Sequence, residues 1–139
     1  MELLVRPMRE ELTSAGFREL RTPEEVDQFM RTARGTVLLF VNSMCGCAGS
    51  IARPAVIRAL QEAGVRPEHL VTVFAGQDRE ATARARAYLE GCPPSSPSMF
   101  VLKDGRVVFA LQRHQIEGRT AQEVAQELVQ ALESWARAG

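Results

Sequence analysis

The chain predicts an α/β fold in which helices flank a central mixed sheet and an extra helix precedes it. Three observations carry that prediction. Two apolar runs, Thr36–Asn42 and Leu70–Ala75, are short, uninterrupted and rich in β-branched residues, the pattern of strands buried on both faces. Asp104-Gly105 separates two further apolar runs, Met99–Lys103 and Arg106–Gln112. That dipeptide between such runs is the strongest short hairpin signal and makes the last two strands antiparallel. Between these strands lie segments with helical spacing and clear end signals.

In chain order, Leu4, Met8 and Leu12 recur at four-residue spacing and predict an amphipathic helix ending near Gly16. Phe17–Leu20 reads as a short edge strand. Thr22-Pro23-Glu24-Glu25 is a capping box with proline in the first turn, so a helix runs from about Pro23 to Thr32, with Val26, Phe29 and Met30 inward and Gly35 at its stop. Thr36–Asn42 is the central strand. Beyond it, Ala48–Ala63 reads as a helix closed by Gly64 and kinked at Pro54. After the second buried strand, Asp78 suits the N-cap of a helix reaching about Glu90. Gly91–Ser98, with three prolines and three serines, is loop. Thr120-Ala-Gln-Glu123 is a second capping box, opening a helix whose inward face carries Val124, Leu128, Val129, Leu132 and Trp135. With two cysteines following the first buried strand, this order is the thioredoxin-like layout.

At 139 residues the chain suits one domain, residues 1–139, and no linker or internal repeat divides it. It is 45% hydrophobic and 24% charged with no net charge, which argues against a nucleic-acid or membrane-surface partner. The N-terminus lacks a cationic segment followed by a long apolar one, and no run approaches membrane-spanning length; the expected location is cytoplasmic. Three cysteines cannot build a secreted disulfide framework. In a reducing compartment a close pair points to redox or metal chemistry.

Cys45-Gly46-Cys47 falls at a strand-to-helix junction. Unsatisfied N–H groups and the positive end of the helix dipole there favour a thiolate and depress the thiol from its usual ~8.5. A thiolate of lower basicity attacks less strongly, with a Brønsted slope of ~0.4–0.5, but leaves more readily from a mixed disulfide. Disulfide exchange is the chemistry that gains most. Cys45, nearer the strand end, is the expected nucleophile and Cys47 the resolving thiol, with Gly46 giving the freedom for a tight ring. A metal or iron–sulfur carrier is the rival, drawing on Cys45, Cys47, Cys92, His69 and His114, although structural zinc sites space paired cysteines two to four apart. A redox sensor or interaction module that switches partners without turnover is another. The thioredoxin-like layout places a cis-proline opposite the cysteine pair, and Ser96-Pro97, before the hairpin, stands where it would fall as a substrate-binding loop. Cys92 precedes that loop, as bystander or alternate resolving thiol. Arg53 reads as a solvated helix arginine, His114 and Glu117 as capping or packing residues, and His69 and Trp135 as structural.

Taken together, Val41-Asn-Ser-Met-Cys-Gly-Cys-Ala48, Ala52-Arg-Pro-Ala55, Thr72-Val-Phe-Ala-Gly-Gln-Asp78, Pro93-Pro-Ser-Ser-Pro-Ser98 and Arg113-His-Gln-Ile-Glu-Gly118 resemble the bacilliredoxin family over nearly the whole chain. The resemblance implies a thiol–disulfide oxidoreductase that removes bacillithiol from S-bacillithiolated cytosolic proteins, with weak disulfide reductase or isomerase activity. Cys45 would take the bacillithiol as a mixed disulfide, and Cys47 or a second bacillithiol would reset it. The implied partners are S-bacillithiolated clients, bacillithiol as thiol co-substrate and a reductase system. No tightly bound cofactor or metal is implied.

Overall fold

The computed structural model describes residues 2–136; Met1 and residues 137–139, the two ends of the expected domain, lie outside the described residues. Strand β2 (Thr36–Asn42) is buried at every position and holds the centre of a five-stranded sheet ordered β1-β3-β2-β4-β5. On one side it pairs in parallel with β3 (His69–Phe74), which carries the short parallel strand β1 (Arg18–Glu19) at its edge. On the other it pairs antiparallel with β4 (Ser98–Lys103), followed by the hairpin partner β5 (Arg106–Leu111). The sheet is mixed, as the hairpin signal requires.

Successive side chains of a strand point to opposite faces, so β2 feeds both halves of the core. Leu38 and Phe40 join Leu12 of α1 (Glu2–Thr13), Val56 of α3 (Arg53–Glu62) and Leu128 and Leu132 of α6 (Ala121–Trp135). Val37, Leu39 and Val41 join Val26 and Phe29 of α2 (Pro23–Thr32) and Ala81 and Ala85 of α4 (Arg79–Ala87). A fully buried large aliphatic side chain contributes about 1.5–3 kcal/mol relative to an exposed one. Burial on the sheet therefore holds these short helices more firmly than propensity does. Both capping boxes form: Thr22 and Thr120 accept from the Glu25 and Glu123 N–H groups, whose carboxylates return the bond. Gly35, at φ +86°, turns the chain toward β2.

Several local expectations are corrected. The buried stripe of α1 is Val5, Arg9 and Leu12, whereas Leu4 is 65% exposed. Arg9 causes the rotation: its guanidinium donates to Glu19 at 2.7 Å and Asp78 at 2.7 Å and lies over the Phe74 ring. A buried cation must be paired, and this one is. Because Asp78 faces Arg9, its side chain makes no capping bond to α4, which ends at Ala87 rather than Glu90. The helix expected over Ala48–Ala63 opens as a π turn, Ala48–Ala52, and becomes α3 at Arg53. Pro54 follows that π turn inside a helical run that is unbroken from 46 to 62, so the irregularity expected at Pro54 takes the form of a π turn just before it. Trp135, at the end of α6, is 38% exposed rather than turned inward. A four-residue helix, α5 (Arg113–Ile116), follows β5 at a place where no helix is expected. Among the described residues, no helix is long and apolar enough to cross a membrane.

Candidate active site

At the end of β2, Asn42 and Ser43 leave the sheet still buried, while Cys45 and Cys47 are half-buried and Met44 and Gly46 exposed. Three groups fix this exit. The Asn42 amide Nδ2 donates to Met8 O of α1 at 3.2 Å, and its Oδ1 accepts the Ser43 N–H at 2.9 Å. Arg53 Nη1 donates to Asn42 Oδ1 and to Ser43 O, each at 2.9 Å, and its Nε donates to Glu11 Oε1 at 3.1 Å. Ser43 Oγ in turn accepts the Cys45 N–H at 3.2 Å. Arg53 is thus a buried anchor beneath the loop, 4% exposed, and its expected place in solvent is overturned. Sequence spacing misses it because its carboxylate partner lies 42 positions earlier.

The two sulfurs stand 3.0 Å apart, and all three cysteines are free thiols. Burial would push the Cys45 thiol up, but hydrogen bonds from Cys47 and Ser43, the Ala48 N–H and the Arg113 cation outweigh it and leave Cys45 below the usual thiol range. At Cys47, burial and the neighbouring Cys45, helped by the Glu117 carboxylate, push the thiol up against the pull of Arg113. One thiol ionises first while its neighbour keeps a proton, the arrangement that disulfide exchange uses. Gly46 does not adopt a positive φ, and a Cβ there would meet nothing within 4 Å. The expected need for glycine's backbone freedom is therefore absent in the dithiol; what Gly46 leaves is open space beside the sulfurs.

The Ser96–Pro97 bond is cis. Since Val41 pairs with Ser98 across β2 and β4, the loop ending in Pro97 runs beside the exit of β2, on the side of the sheet end from which the thiols emerge. Arg113 ties this loop to the site: Nη1 donates to Ser96 O at 3.3 Å and Nη2 to Glu117 Oε2 at 3.4 Å, while its charge acts on both thiols.

A family model described as disulphide isomerase matches residues 1–136. The chain is 53% identical over 135 residues to the bacilliredoxin of Geobacillus kaustophilus, covering 97% of this chain and 93% of that one. It is 60% identical over 127 residues to that of Symbiobacterium thermophilum, covering 91% and 89%. The chain belongs to the bacilliredoxin family. It is accordingly a thiol–disulfide oxidoreductase. Solved structures confirm the fold: a thioredoxin of Fasciola hepatica superposes with a TM-score of 0.56 at 18% identity over 86% of this chain and 99% of that one. A thioredoxin of Arabidopsis thaliana gives 0.55 at 14% over 88% and 96%.

The remaining candidates of this bacilliredoxin-family chain lie elsewhere or act differently than their sequence suggests. Cys92 is half-buried against the core of the α2 and α4 face, with Sγ 3.8 Å from Glu90 O, whereas the groups acting on Cys45 and Cys47 come from Ser43, Ala48, Arg113 and Glu117. His69 is structural, edge-on to Phe29 and bonded through Nε2 to Arg34 O at 3.1 Å. His114 is exposed, neither capping nor packed; the cap of α5 is made by Gln112 and Gln115. Among the described residues, no three or more His, Cys, Asp or Glu side chains gather so as to hold a metal ion. Arg113 is the site residue to which the sequence assigns no role: it stands in the Arg113–Gly118 tract that carries the resemblance, but an arginine after a hairpin has no spacing that ties it to the thiols.

Proposed function

We propose that this protein removes bacillithiol from S-bacillithiolated proteins, with Cys45 as nucleophile and Cys47 as the nearest resolving thiol. The observation that carries this reading is the pair itself: two thiols 3.0 Å apart, Cys45 held below the usual thiol range and Cys47 above it. The Cys45 thiolate attacks the bacillithiol sulfur of the mixed disulfide, forms a new S–S bond and expels the client thiolate, which takes up a proton. Cys47 then attacks Cys45 Sγ and releases bacillithiol as a thiol, or a second bacillithiol attacks the sulfur of the bound one, freeing the Cys45 thiolate and leaving as bacillithiol disulfide. The first route leaves a Cys45–Cys47 disulfide for a reductase system to reduce.

Arg113 supports an anionic thiol as cargo: its side chain is 44% exposed, its charge acts on both sulfurs, and its bond to Glu117 is long and solvated. Such a surface pair is worth little, so an incoming anion displaces Glu117 at small cost. Ser96 and Pro97 form the loop against which the substrate disulfide lies. The absence of a membrane-spanning helix among the described residues is compatible with cytoplasmic clients. The test mixes the reduced protein with a bacillithiolated client and follows the adduct by mass spectrometry. The expected result is transfer of the adduct to Cys45 and its loss in Cys45→Ala; transfer undiminished in that variant refutes the assignment.

A further inference from the structure

Beneath the thiol pair lies a polar assembly that exchange chemistry does not use directly. Arg53, Asn42 and Ser43 are buried, on α3 and the exit of β2, and Glu11 and Met8 O reach them from α1. A buried guanidinium is costly unless its donors are met by charge and lone pairs. Here one donor set meets the Glu11 carboxylate and the other meets two oxygens of the active-site loop. The fit is close: a Cβ on Gly49, in the π turn after the thiols, would stand 3.0 Å from Arg53 Nη2.

The consequence falls on Ser43. Arg53 holds its carbonyl, and Asn42 Oδ1, itself held by Arg53, accepts its N–H. With both backbone groups fixed, the hydroxyl remains beside Cys45, where it accepts the Cys45 N–H at 3.2 Å. We infer that Arg53 is a positioning residue for Cys45, acting through Ser43, and that α1 supplies through Glu11 and Met8 O the far side of the clamp. The inference rests on Cys45 being the reactive thiol. It also assigns α1 a purpose: the helix added before the thioredoxin-like layout braces the active-site loop from behind.

The experiment measures the pH dependence of iodoacetamide alkylation of the reduced protein, with mass spectrometry locating the label and a thermal melt run alongside. Cys47, the Ala48 N–H, Arg113 and Glu117, the other groups acting on the pair, stay in place throughout. Arg53→Met is expected to move the Cys45 midpoint upward and slow alkylation at pH 7 about three- to tenfold. Ser43→Ala moves it the same way, and Arg53→Met added to Ser43→Ala brings less than about twofold more, because the effect runs through one hydroxyl. Arg53→Lys restores part of the wild-type midpoint, since an ammonium reaches the loop oxygens but cannot also hold Glu11. A lower melting temperature with an unmoved midpoint overturns the inference and leaves Arg53 as scaffold, and so do additive effects of the two substitutions. Should Arg53→Met fail to fold, Glu11→Ala at the half-exposed end of the clamp decides: an upward midpoint supports the inference and an unchanged one overturns it. First labelling of Cys47 in the wild-type protein refutes the nucleophile assignment instead, whatever the Arg53 variants do.

Discussion

Cys45 and Cys47 share a turn and are both half-buried, yet they are pushed in opposite directions, because hydrogen-bond donors converge on the first sulfur while burial and the neighbouring Cys45 raise the second. Removing one donor has a definite sign. Cys47→Ala deletes the bond that most strongly lowers Cys45, so the alkylation midpoint of Cys45 is expected to rise and its rate at pH 7 to fall about threefold or more. Since Cys45 is depressed in the folded state, its thiolate contributes stability to the reduced protein that is fully present above the ordinary thiol range and is lost as pH falls toward its own pKa; exchange activity fades as pH falls through that pKa. Arg113→Gln removes a cation shared by both thiols. The ratio of turnover on a bacillithiol mixed disulfide to that on a cysteamine mixed disulfide is expected to fall roughly three- to tenfold, and an unchanged ratio removes Arg113 from cargo selection. The thiol pair and the Ser96-Pro97 loop were legible because their signals are local. Arg53 and Arg9 were not. Both are helix arginines whose partners lie on other elements, and periodicity along a helix carries no information about a carboxylate tens of residues away.

Among the elements, the helix starts were the most readable, since a capping box is complete within four residues and both predicted boxes form. Features set by distant contacts were less so: α1 turned its stripe to bury Arg9, and Pro54 marked an irregularity after Cys47 without revealing its π form or the Gly49 that leaves room for Arg53. Helices α2 and α4 are joined by Asp27, which accepts from Arg84 Nε and from the Tyr88 hydroxyl, each at 2.7 Å. The Arg84 and Tyr88 bonds outweigh the effect of burial and hold the Asp27 carboxyl down at about 2. A depressed carboxylate stabilises the fold above the ordinary Asp range and loses that contribution as pH falls toward about 2. Asp27→Asn is therefore expected to lower the thermal midpoint at pH 7 by about 1–4 °C and to flatten the acid side of the stability profile, as read by circular dichroism melts across pH. A midpoint that is unchanged at pH 7 shows that the pair is solvated and idle.

Across the whole molecule the sheet order was legible because two buried runs and one hairpin leave few ways to assemble a mixed sheet. The core on the α3 and α6 face centres on residues such as Leu128, fully buried between sheet and helix. Leu128→Ala is expected to cost about 2–5 kcal/mol in urea unfolding. The Cys45 alkylation midpoint should stay where it is, because no group acting on that thiol lies on α6. A shifted midpoint means that core packing reaches the site. The chain's one tryptophan, Trp135, borders a groove with Lys103, Asp104 and Val107 at the hairpin end of β4, whereas the thiols emerge near Ser98 at the other end. Six residues of strand at about 3.3 Å each separate the two ends by roughly 20 Å. Its emission is consequently an optical gauge of folding that is blind to sulfur chemistry. Oxidation of the pair should leave the fluorescence spectrum unchanged, and any redox-dependent change in it reports movement carried the length of the sheet.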